Sequence, residues 1–342
     1  MDLSRLGNIS VGSIVRRLDV KYRVARLIGW HPALSPRQLR LLNQMRSDNG
    51  AAPPPFRATA LWAAAARRFE REFYMNGIDG VETQYFNLRF SGFAAGDERL
   101  YDYFLYTYFQ LVRERDTLGL LKRVSTMCPV KRGFAYEIEG CRVSLDLLFS
   151  IDDLYNLLEV RPGLLSEPLV IADVGAGWGR LGYVLKLANP RLAYVVFDLP
   201  ESLLISSTYL HKLLPEEPYR SYQDSRSVHS LDRRMLTDGE MWFLGAQDLL
   251  KVCPGSLDVV VNIASFQEMT LDQVSEYFRI IGEKAHGGVL YLKQLWSGKT
   301  HGQHLGEIAG YEEYPFNASW ERLFLRNARF SHYFFEAAFR LE

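Results

Sequence analysis

A glycine-rich segment in the middle of the chain has the residue types that hold a nucleotide-like ligand. Asp173 is followed by Gly175, Gly177 and Gly179, in the sequence DVGAGWG, and then by Arg180. Glycines directly after a strand allow a tight turn and the close approach of a ligand, because no Cβ stands in the way. A helix that starts here points its first N–H groups at the same ligand, and such crevices are the usual ligand sites of α/β sheets.

The spacing of these glycines distinguishes between two classes of ligand. Dinucleotide folds carry Gly-x-Gly-x-x-Gly, whereas this chain has Gly-x-Gly-x-Gly, with Arg180 at the place of the third glycine. Asp198 ends the next predicted strand, 19 residues after Gly179. A carboxylate there can accept hydrogen bonds from both ribose hydroxyls, in NAD and in S-adenosylmethionine alike. The glycine spacing therefore disfavours an NAD-linked oxidoreductase.

These motifs resemble those of a known family. IADVGAGWGR (171–180) looks like motif I of class I methyltransferases, and VVFDLP (195–200) is similar to the second motif of small-molecule O-methyltransferases. From about residue 140 onward the chain resembles the bacterial sugar O-methyltransferase family. The further matching segments are GCRVSLDLL (140–148), FDLPESLLISSTYLHKLLP (197–215), SFQEM (265–269) and YPFNASW (314–320). The resemblance implies a Rossmann-like class I fold, S-adenosylmethionine as cofactor and methyl transfer to a hydroxyl of a sugar or sugar-bearing natural product.

The resemblance also implies which residues form the cofactor pocket. The glycine turn would shape the methionine end, Asp198 would hold the ribose, and Gln247 or Asp248 would meet the adenine. Asn262 ends the fourth strand, at the usual face of the reaction centre. Trp178 is expected to pack on the cofactor or form the pocket wall, with stacking at the surface as the alternative. The expected set is Asp173, Gly175, Ala176, Gly177, Trp178, Gly179, Asp198, Leu199, Gln247, Asp248 and Asn262.

The acceptor hydroxyl must lose its proton, and a general base within hydrogen-bond reach accelerates that step. Many plant-type O-methyltransferases place a histidine and an acid just beyond strand four, where this chain has Gln267 and Glu268. Glutamine is not a base at neutral pH, so Glu268 is the first candidate. The alternative is that Glu268 only stabilises a helix N-terminus. His301 and His304, in a Gly-rich loop, are the other candidates for the base.

Other side chains are expected to bind the acceptor. Gln267 would orient it by hydrogen bonding, and Tyr311, Tyr314 and Trp320 would stack on its ring, although core packing is as good an explanation for Trp320. The two histidines of HGQH have no nearby partners, so no metal site is predicted. The acceptor is a small hydroxyl-bearing molecule under this hypothesis. N- or C-methylation, or cofactor binding without catalysis, remain the alternatives.

Composition limits the class of partner. The 342 residues include 40 Lys+Arg and 40 Asp+Glu, and a neutral chain argues against a nucleic-acid binder. Three cysteines without a CxxC pair fit a reducing compartment. We find neither a signal-peptide pattern nor an apolar run long enough to span a membrane, so a cytoplasmic location is expected. Dimer contacts through the N-terminal region are a further hypothesis.

The elements that must position these residues follow from periodicity. Helices are predicted for most of the first 143 residues, with starts at Ser35 and Ser144 and one continuous aromatic-rich helix over 101–121. Strands are predicted at 169–174, 193–198, 241–245, 257–263, 289–296 and 331–341. Their alternation with helices predicts a doubly wound, mostly parallel sheet. We therefore expect a helical region (1–143) that caps a Rossmann-like catalytic domain (144–342).

Overall fold

The fold is that of a computed structural model, which describes residues 34–66, 98–124, 135–236, 239–300 and 303–342. Its centre is one sheet of eight strands in the order β11-β12-β8-β7-β3-β4-β6-β5. The strands are β3 (Val170–Val174), β4 (Ala193–Asp198), β5 (Tyr219–Arg220), β6 (Met241–Gly245), β7 (Val259–Ile263), β8 (Val289–Leu295), β11 (Glu321–Ala328) and β12 (Ser331–Arg340). Two small antiparallel pairs lie outside it: β1 (Tyr136–Ile138) with β2 (Cys141–Val143), and β9 (Lys299–Thr300) with β10 (Gln303–His304).

Strands β5, β6, β4, β3, β7 and β8 are mutually parallel, and β12 runs antiparallel to β8 and β11. The predicted doubly wound, mostly parallel sheet is thus confirmed. The strand order reverses at β3, which pairs with β4 on one side and with β7 on the other. Ligands of such sheets bind beyond the carboxyl ends of the strands at this switch point, which here is the glycine turn.

Helices cover both faces of the sheet. They are α1 (Pro36–Ala51), α2 (Glu98–Arg115), α3 (Leu120–Arg123), α4 (Leu145–Val160), α5 (Arg180–Ala188), α6 (Pro200–Leu213), α7 (Tyr222–Arg226) and α8 (Leu271–Lys284), and residues 60–66 are also helical. Single turns of 3-10 helix occur at Pro54–Phe56, Pro162–Leu165, Phe266–Glu268 and Tyr311–Glu313, and a longer one at Ala246–Lys251. No helix in the described ranges is both long and apolar enough to cross a membrane.

The predicted helix starts are confirmed by their caps. The side chain of Ser35 accepts a hydrogen bond from the backbone of Gln38, and that of Ser144 from Leu147. A single helix over 101–121 is wrong. The helix ends at Arg115, because the carboxylate of Asp116 accepts hydrogen bonds from the backbone N–H groups that start α3.

Two apolar layers flank the sheet, since alternate residues of each strand point to opposite faces. Ile171 of β3 faces a layer that also contains α4, α5 and residues of α1 and α2 such as Met45 and Phe109. Val170 and Ala172 face the second layer, beneath α8. Because α1 and α2 share a core with α4 and the sheet, they lie directly over the domain that carries the glycine turn.

Candidate functional site

The glycine turn lies between the end of β3 at Val174 and the start of α5 at Arg180. All three of its glycines have left-handed backbone, with φ of +74° at Gly175, +61° at Gly177 and +83° at Gly179. Residues with a Cβ rarely adopt this conformation. The backbone conformation of the turn therefore favours glycine at all three positions.

The surroundings of the three glycines differ. A Cβ on Gly175 would lie 2.2 Å from the Oγ of Ser265, and one on Gly179 would lie 2.7 Å from a methyl of Leu210. A Cβ on Gly177 would meet nothing within 4 Å. Packing thus excludes a side chain at the outer two positions, whereas Gly177 faces open space from which a ligand can approach.

Asp198, the last residue of β4, holds this turn. Its carboxylate accepts hydrogen bonds from the backbone N–H of Gly177 at 2.8 Å and from that of Leu199 at 2.7 Å. The side chain is buried, and burial raises the pKa of Asp198 to about 7 despite these two donors. Each carboxylate oxygen keeps a further lone pair, so two more donors can bind.

Asp173 lies deeper than Asp198. It accepts a hydrogen bond from the hydroxyl of Tyr194 on the neighbouring strand, and burial raises its pKa to about 6. Both groups are buried in the described structure. Asp173 is therefore tied to β4 through Tyr194, and its part in shaping the cofactor pocket stays a prediction. Trp178 is also buried, edge-on against Tyr209 of α6 with ring centroids 4.3 Å apart, so the alternative of surface stacking is wrong.

The two candidates for the adenine contact have different environments. The carboxylate of Asp248 accepts a hydrogen bond from the backbone of Gly245 and pairs with Lys251, each at 3.0 Å. The amide oxygen of Gln247 is buried and has no hydrogen-bond partner among the described residues. A buried acceptor of this kind is costly unless a ligand or water satisfies it. The geometry thus favours Gln247 as the ligand contact.

Asn262 at the end of β7 has no exposed surface. Its amide donates to the carbonyl of Val174 at 2.6 Å and accepts from Phe266 N–H at 3.0 Å and from Gln294 at 2.6 Å. The side-chain amide is thus hydrogen-bonded within the protein, and the place of Asn262 in the cofactor pocket stays a prediction. Asn262 ties the turn after β7 to the end of β3. Ala264 in that turn has a left-handed φ of +56°.

The candidate base and its neighbour lie in the 3-10 turn Phe266–Glu268, and both are buried. The amide oxygen of Gln267 accepts a hydrogen bond from the backbone of Leu295 at 2.8 Å, so only its amide nitrogen could reach an acceptor. The N-terminus of α8 is capped by Thr270, and Glu307 accepts from the backbone of Leu271 at 3.0 Å. The capping role suggested for Glu268 is thus filled by other residues.

His301 and His304 are the other two candidates for the general base. His304 lies in β10, but its side chain is outside the described part of the structure, as is the whole of His301. Among the described residues, no group of three or more His, Cys, Asp or Glu side chains could hold a metal ion. The candidacy of His301 and His304 as general base stays a prediction.

The expected acceptor contacts of Tyr311, Tyr314 and Trp320 stay predictions, and the packing of the three rings favours a place in the core. All three are buried in the layer beneath α8, where Tyr311 and Tyr314 pack edge-on against Phe335 at 5.1 and 5.7 Å. Trp320 lies 5.5 Å from Phe278 of α8. Burying these rings against a helix and a strand removes more apolar surface from water than a loop could, so they form core.

The individual contacts that join α1 and the segment after it to the edge of the crevice were not predicted from sequence. Arg46 of α1 pairs with Glu201 in the first turn of α6 at 2.8 Å, and Asp48 accepts a hydrogen bond from Tyr222 at 2.8 Å. Phe56 then packs on Tyr277 of α8 with centroids 5.2 Å apart. Tyr277 lies in electrostatic reach of Asp198: burial and the nearby carboxylate both raise the pKa of Tyr277. Residues 46–56 thus extend across the carboxyl edge of the sheet.

No protein-family model and no curated protein sequence matches the chain. Solved structures with a similar arrangement include the pyocyanin biosynthetic protein PhzM, with 16% identity and a TM-score of 0.38 over 57% of each chain. The O-methyltransferase NcsB1 of neocarzinostatin biosynthesis, in complex with S-adenosyl-L-homocysteine, has 15% identity and a TM-score of 0.34, over 57% of this chain and 56% of its own. A SAM-dependent methyltransferase from Aquifex aeolicus has 14% identity and a TM-score of 0.33, over 54% of this chain and 88% of its own. The chain thus spans little more than half the length of the first two structures.

Proposed function

We propose that this protein is an S-adenosylmethionine-dependent class I methyltransferase. The observation that carries the proposal is the pairing of Gly177 with Asp198. Open space lies over the left-handed Gly177, and the carboxylate that binds its N–H stands at the end of the adjacent strand. A ligand on this turn meets the open face of Gly177 with a carboxylate beside it, which suits a molecule with a ribose diol.

The residues around the turn fit this cofactor. The remaining lone pairs of Asp198 would accept hydrogen bonds from the two ribose hydroxyls. The amide oxygen of Gln247, which has no partner among the described residues, would accept a hydrogen bond from the amino group of the adenine. Gly175 and Gly177, together with Ala176 between them, would border the methionine end. When bound, the cofactor supplies a methyl group on a sulfonium centre. The protein then has to align an acceptor oxygen with that methyl, and alignment alone supplies much of the rate.

Glu268 takes the proton of the acceptor hydroxyl in this proposal. It lies directly after the turn that Asn262 fixes beyond β7, where the acceptor and the methyl group would meet, and its neighbour Gln267 cannot titrate. A base in hydrogen-bond reach of the reacting hydroxyl adds about 10²–10⁴-fold. His301 or His304 would take this role if the loop that carries them closes over the acceptor.

The acceptor is a hydroxyl of a sugar or of a sugar-bearing natural product. The support for this class is the sequence resemblance from residue 140 onward. The helical region 1–143 would contribute acceptor specificity and dimer contacts, and the domain from residue 144 would carry the chemistry. The neutral composition and sparse cysteines support reaction in the cytoplasm with no nucleic-acid partner.

The experiment is a methyl-transfer assay with the purified full chain and a panel of sugars, glycosides and amines. Release of S-adenosylhomocysteine is followed, and the methylated atom is identified by NMR. O-methylation of a glycoside supports the proposal, and N- or C-methylation supports the alternative chemistry. Binding of S-adenosylhomocysteine without turnover on any acceptor would support the third candidate, a methyltransferase-like binding protein.

A further inference from the structure

Five buried polar side chains lie where α4 packs against β8 and β12. They form what we call the buried charge cluster: Asp152, Asp153, Asn156, Lys293 and Glu336. None of the five exposes more than 8% of its surface. The cluster joins α4 to the carboxyl edge of the sheet and has no part in the proposed chemistry, so its presence requires another explanation.

Asp153 is the member that contacts both sides of the crevice. One of its oxygens accepts from the Nζ of Lys293 at 2.8 Å and from the hydroxyl of Tyr291 at 3.2 Å. The other accepts from the guanidinium of Arg180 at 3.4 Å. Asp153 itself has no exposed surface. A single carboxylate thus joins cations from α5 and β8.

The Arg180 contact fixes the glycine turn. Arg180 directly follows Gly179 and is the first residue of α5. Its guanidinium also donates to the hydroxyl of Ser150 on α4 at 2.8 Å. Because a planar guanidinium that binds two groups has little freedom, the start of α5 is held at a set distance from α4.

The Lys293 contact fixes the turn after β7. The backbone carbonyl of Lys293 accepts a hydrogen bond from Ala264 at 2.8 Å, and Ala264 has the left-handed φ noted above. Next to it, the side chain of Ser265 closes on Gly175. Burial would lower the pKa of Lys293, but the carboxylates of Asp153, Glu336 and Asp152 outweigh burial and raise it, so Lys293 stays charged.

A buried cluster of this kind adds little net stability to a fold. Removing each ion from water is energetically unfavourable, and well-packed apolar residues of similar volume often give a fold of equal stability. Ion pairs differ from apolar contacts in fixing direction and distance. The cluster is therefore better explained by the positions it imposes than by the stability it adds.

We propose that Asp153 is a positioning residue for the crevice: through Arg180 and Lys293 it sets the glycine turn and the turn at Ala264 relative to each other. This rests on the proposed function, because those two turns would hold the cofactor and the acceptor. Without the Asp153 charge, each turn would keep its local fold but lose its common anchor.

The test compares Asp153→Asn with Asp152→Asn in the full chain. Asp152 is a matched control: it is the adjacent residue, 1% exposed, and pairs with Arg115 at 2.7 Å and with Arg329 at 3.4 Å. Its carboxylate acts on Lys293 only through its charge and, unlike Asp153, makes no ion pair with Lys293 or Arg180. Hydrogen exchange is measured on the protein without ligand, and the dissociation constant of S-adenosylhomocysteine is measured by calorimetry.

Asp153→Asn is expected to speed exchange in both segments, 175–180 and 264–268, and to weaken S-adenosylhomocysteine binding about tenfold. Asp152→Asn should change neither, although both variants lose stability. Equal effects of the two substitutions, or unchanged exchange in Asp153→Asn, would overturn the proposal. If the wild-type protein fails to bind S-adenosylhomocysteine, the proposed function is contradicted, and the exchange data still decide the positioning role.

A second variant keeps the proposal testable if Asp153→Asn does not fold. Arg180→Lys keeps the positive charge but cannot span Ser150 and Asp153 as the guanidinium does. We expect faster hydrogen exchange in segment 175–180 and an unchanged exchange rate in segment 264–268. A change in both segments, or in neither, would contradict the division of roles between Arg180 and Lys293.

Discussion

The carboxylate of Asp198 accepts a hydrogen bond of 2.8 Å from the backbone N–H of Gly177, across the gap between two neighbouring strand ends. This contact places the carboxylate that ends β4 against a turn that faces open space. Because the carboxylate is buried, burial raises its pKa to about 7. Its charge can therefore change within the range of ordinary assays.

The first prediction is that cofactor affinity falls as pH falls below about 7. Ribose hydroxyls donate to the ionised carboxylate, so binding at lower pH must release the proton from Asp198. The dissociation constant of S-adenosylhomocysteine should rise by up to tenfold per pH unit between about 7 and 5.5. Calorimetry in buffers of different ionisation enthalpy measures both the affinity and the proton released.

Asp198→Asn is the control for this pH dependence. It should weaken binding about ten- to a hundredfold, because a charged acceptor is lost, and it should flatten the profile. The folding stability of the unliganded protein depends on pH in the opposite sense to the cofactor affinity. The pKa of Asp198 is raised on folding, so its contribution to stability is present at low pH and is lost as pH rises from about 4 through 7. An unchanged profile in Asp198→Asn would assign the proton to another group.

Gly177 and Gly255 provide a second, matched prediction. Both have left-handed backbone and neither has an atom within 4 Å of an added Cβ. Alanine at either position should cost about 1–2 kcal/mol of unfolding free energy through backbone strain. Only Gly177→Ala should also weaken S-adenosylhomocysteine binding, since its methyl group would occupy the ligand's space. Equal affinity in the two variants would show that the open face of Gly177 is not the binding face.

Sequence reasoning was most successful where a local rule applies. β4 was predicted to its last residue, and the turn was located because left-handed glycines and a following acid are local signals. The acceptor side could not be predicted in the same way, for a physical reason. Which way Tyr311 or Trp320 points depends on packing with β12 and α8, and one sequence does not state that. The pairing of Arg46 with Glu201, 155 residues apart, likewise has no local signal.

The edge strand β11 is a second element that the sequence analysis did not predict. β11 pairs only with β12 and keeps most of its side chains partly or fully exposed, so it lacks the alternation of a half-buried strand. Charged residues at both its ends, which suit an exposed sheet edge, resemble those of a loop. The regular strand pattern of β12 was the signal that could have indicated β11, because such a strand can pair with a hairpin partner next to it in sequence.

The third prediction concerns the buried tyrosines. The hydroxyl of Tyr314 is buried and has no hydrogen-bond partner among the described residues, whereas that of Tyr194 donates to Asp173. Tyr314→Phe should therefore raise the unfolding free energy by about 1 kcal/mol, and Tyr194→Phe should lower it by about 1.5–3 kcal/mol. Urea denaturation measures both. Loss of stability in Tyr314→Phe would mean that the hydroxyl is bound after all.

The fourth prediction tests the general base. Glu268→Gln keeps the size of the side chain but removes its basicity, so turnover should fall about 10²-fold or more while cofactor affinity stays nearly constant. A residual rate from alignment should remain. His301→Ala and His304→Ala are the comparison variants. If either abolishes turnover and Glu268→Gln does not, the base lies on the Gly-rich loop.

The central claim is the identity of the cofactor. The most direct measurement is calorimetric titration of the purified full chain with S-adenosylhomocysteine and, separately, with NAD. We predict one-to-one binding of S-adenosylhomocysteine that is weakened in Gly177→Ala, and no measurable binding of NAD. Binding of NAD without binding of S-adenosylhomocysteine would contradict the account.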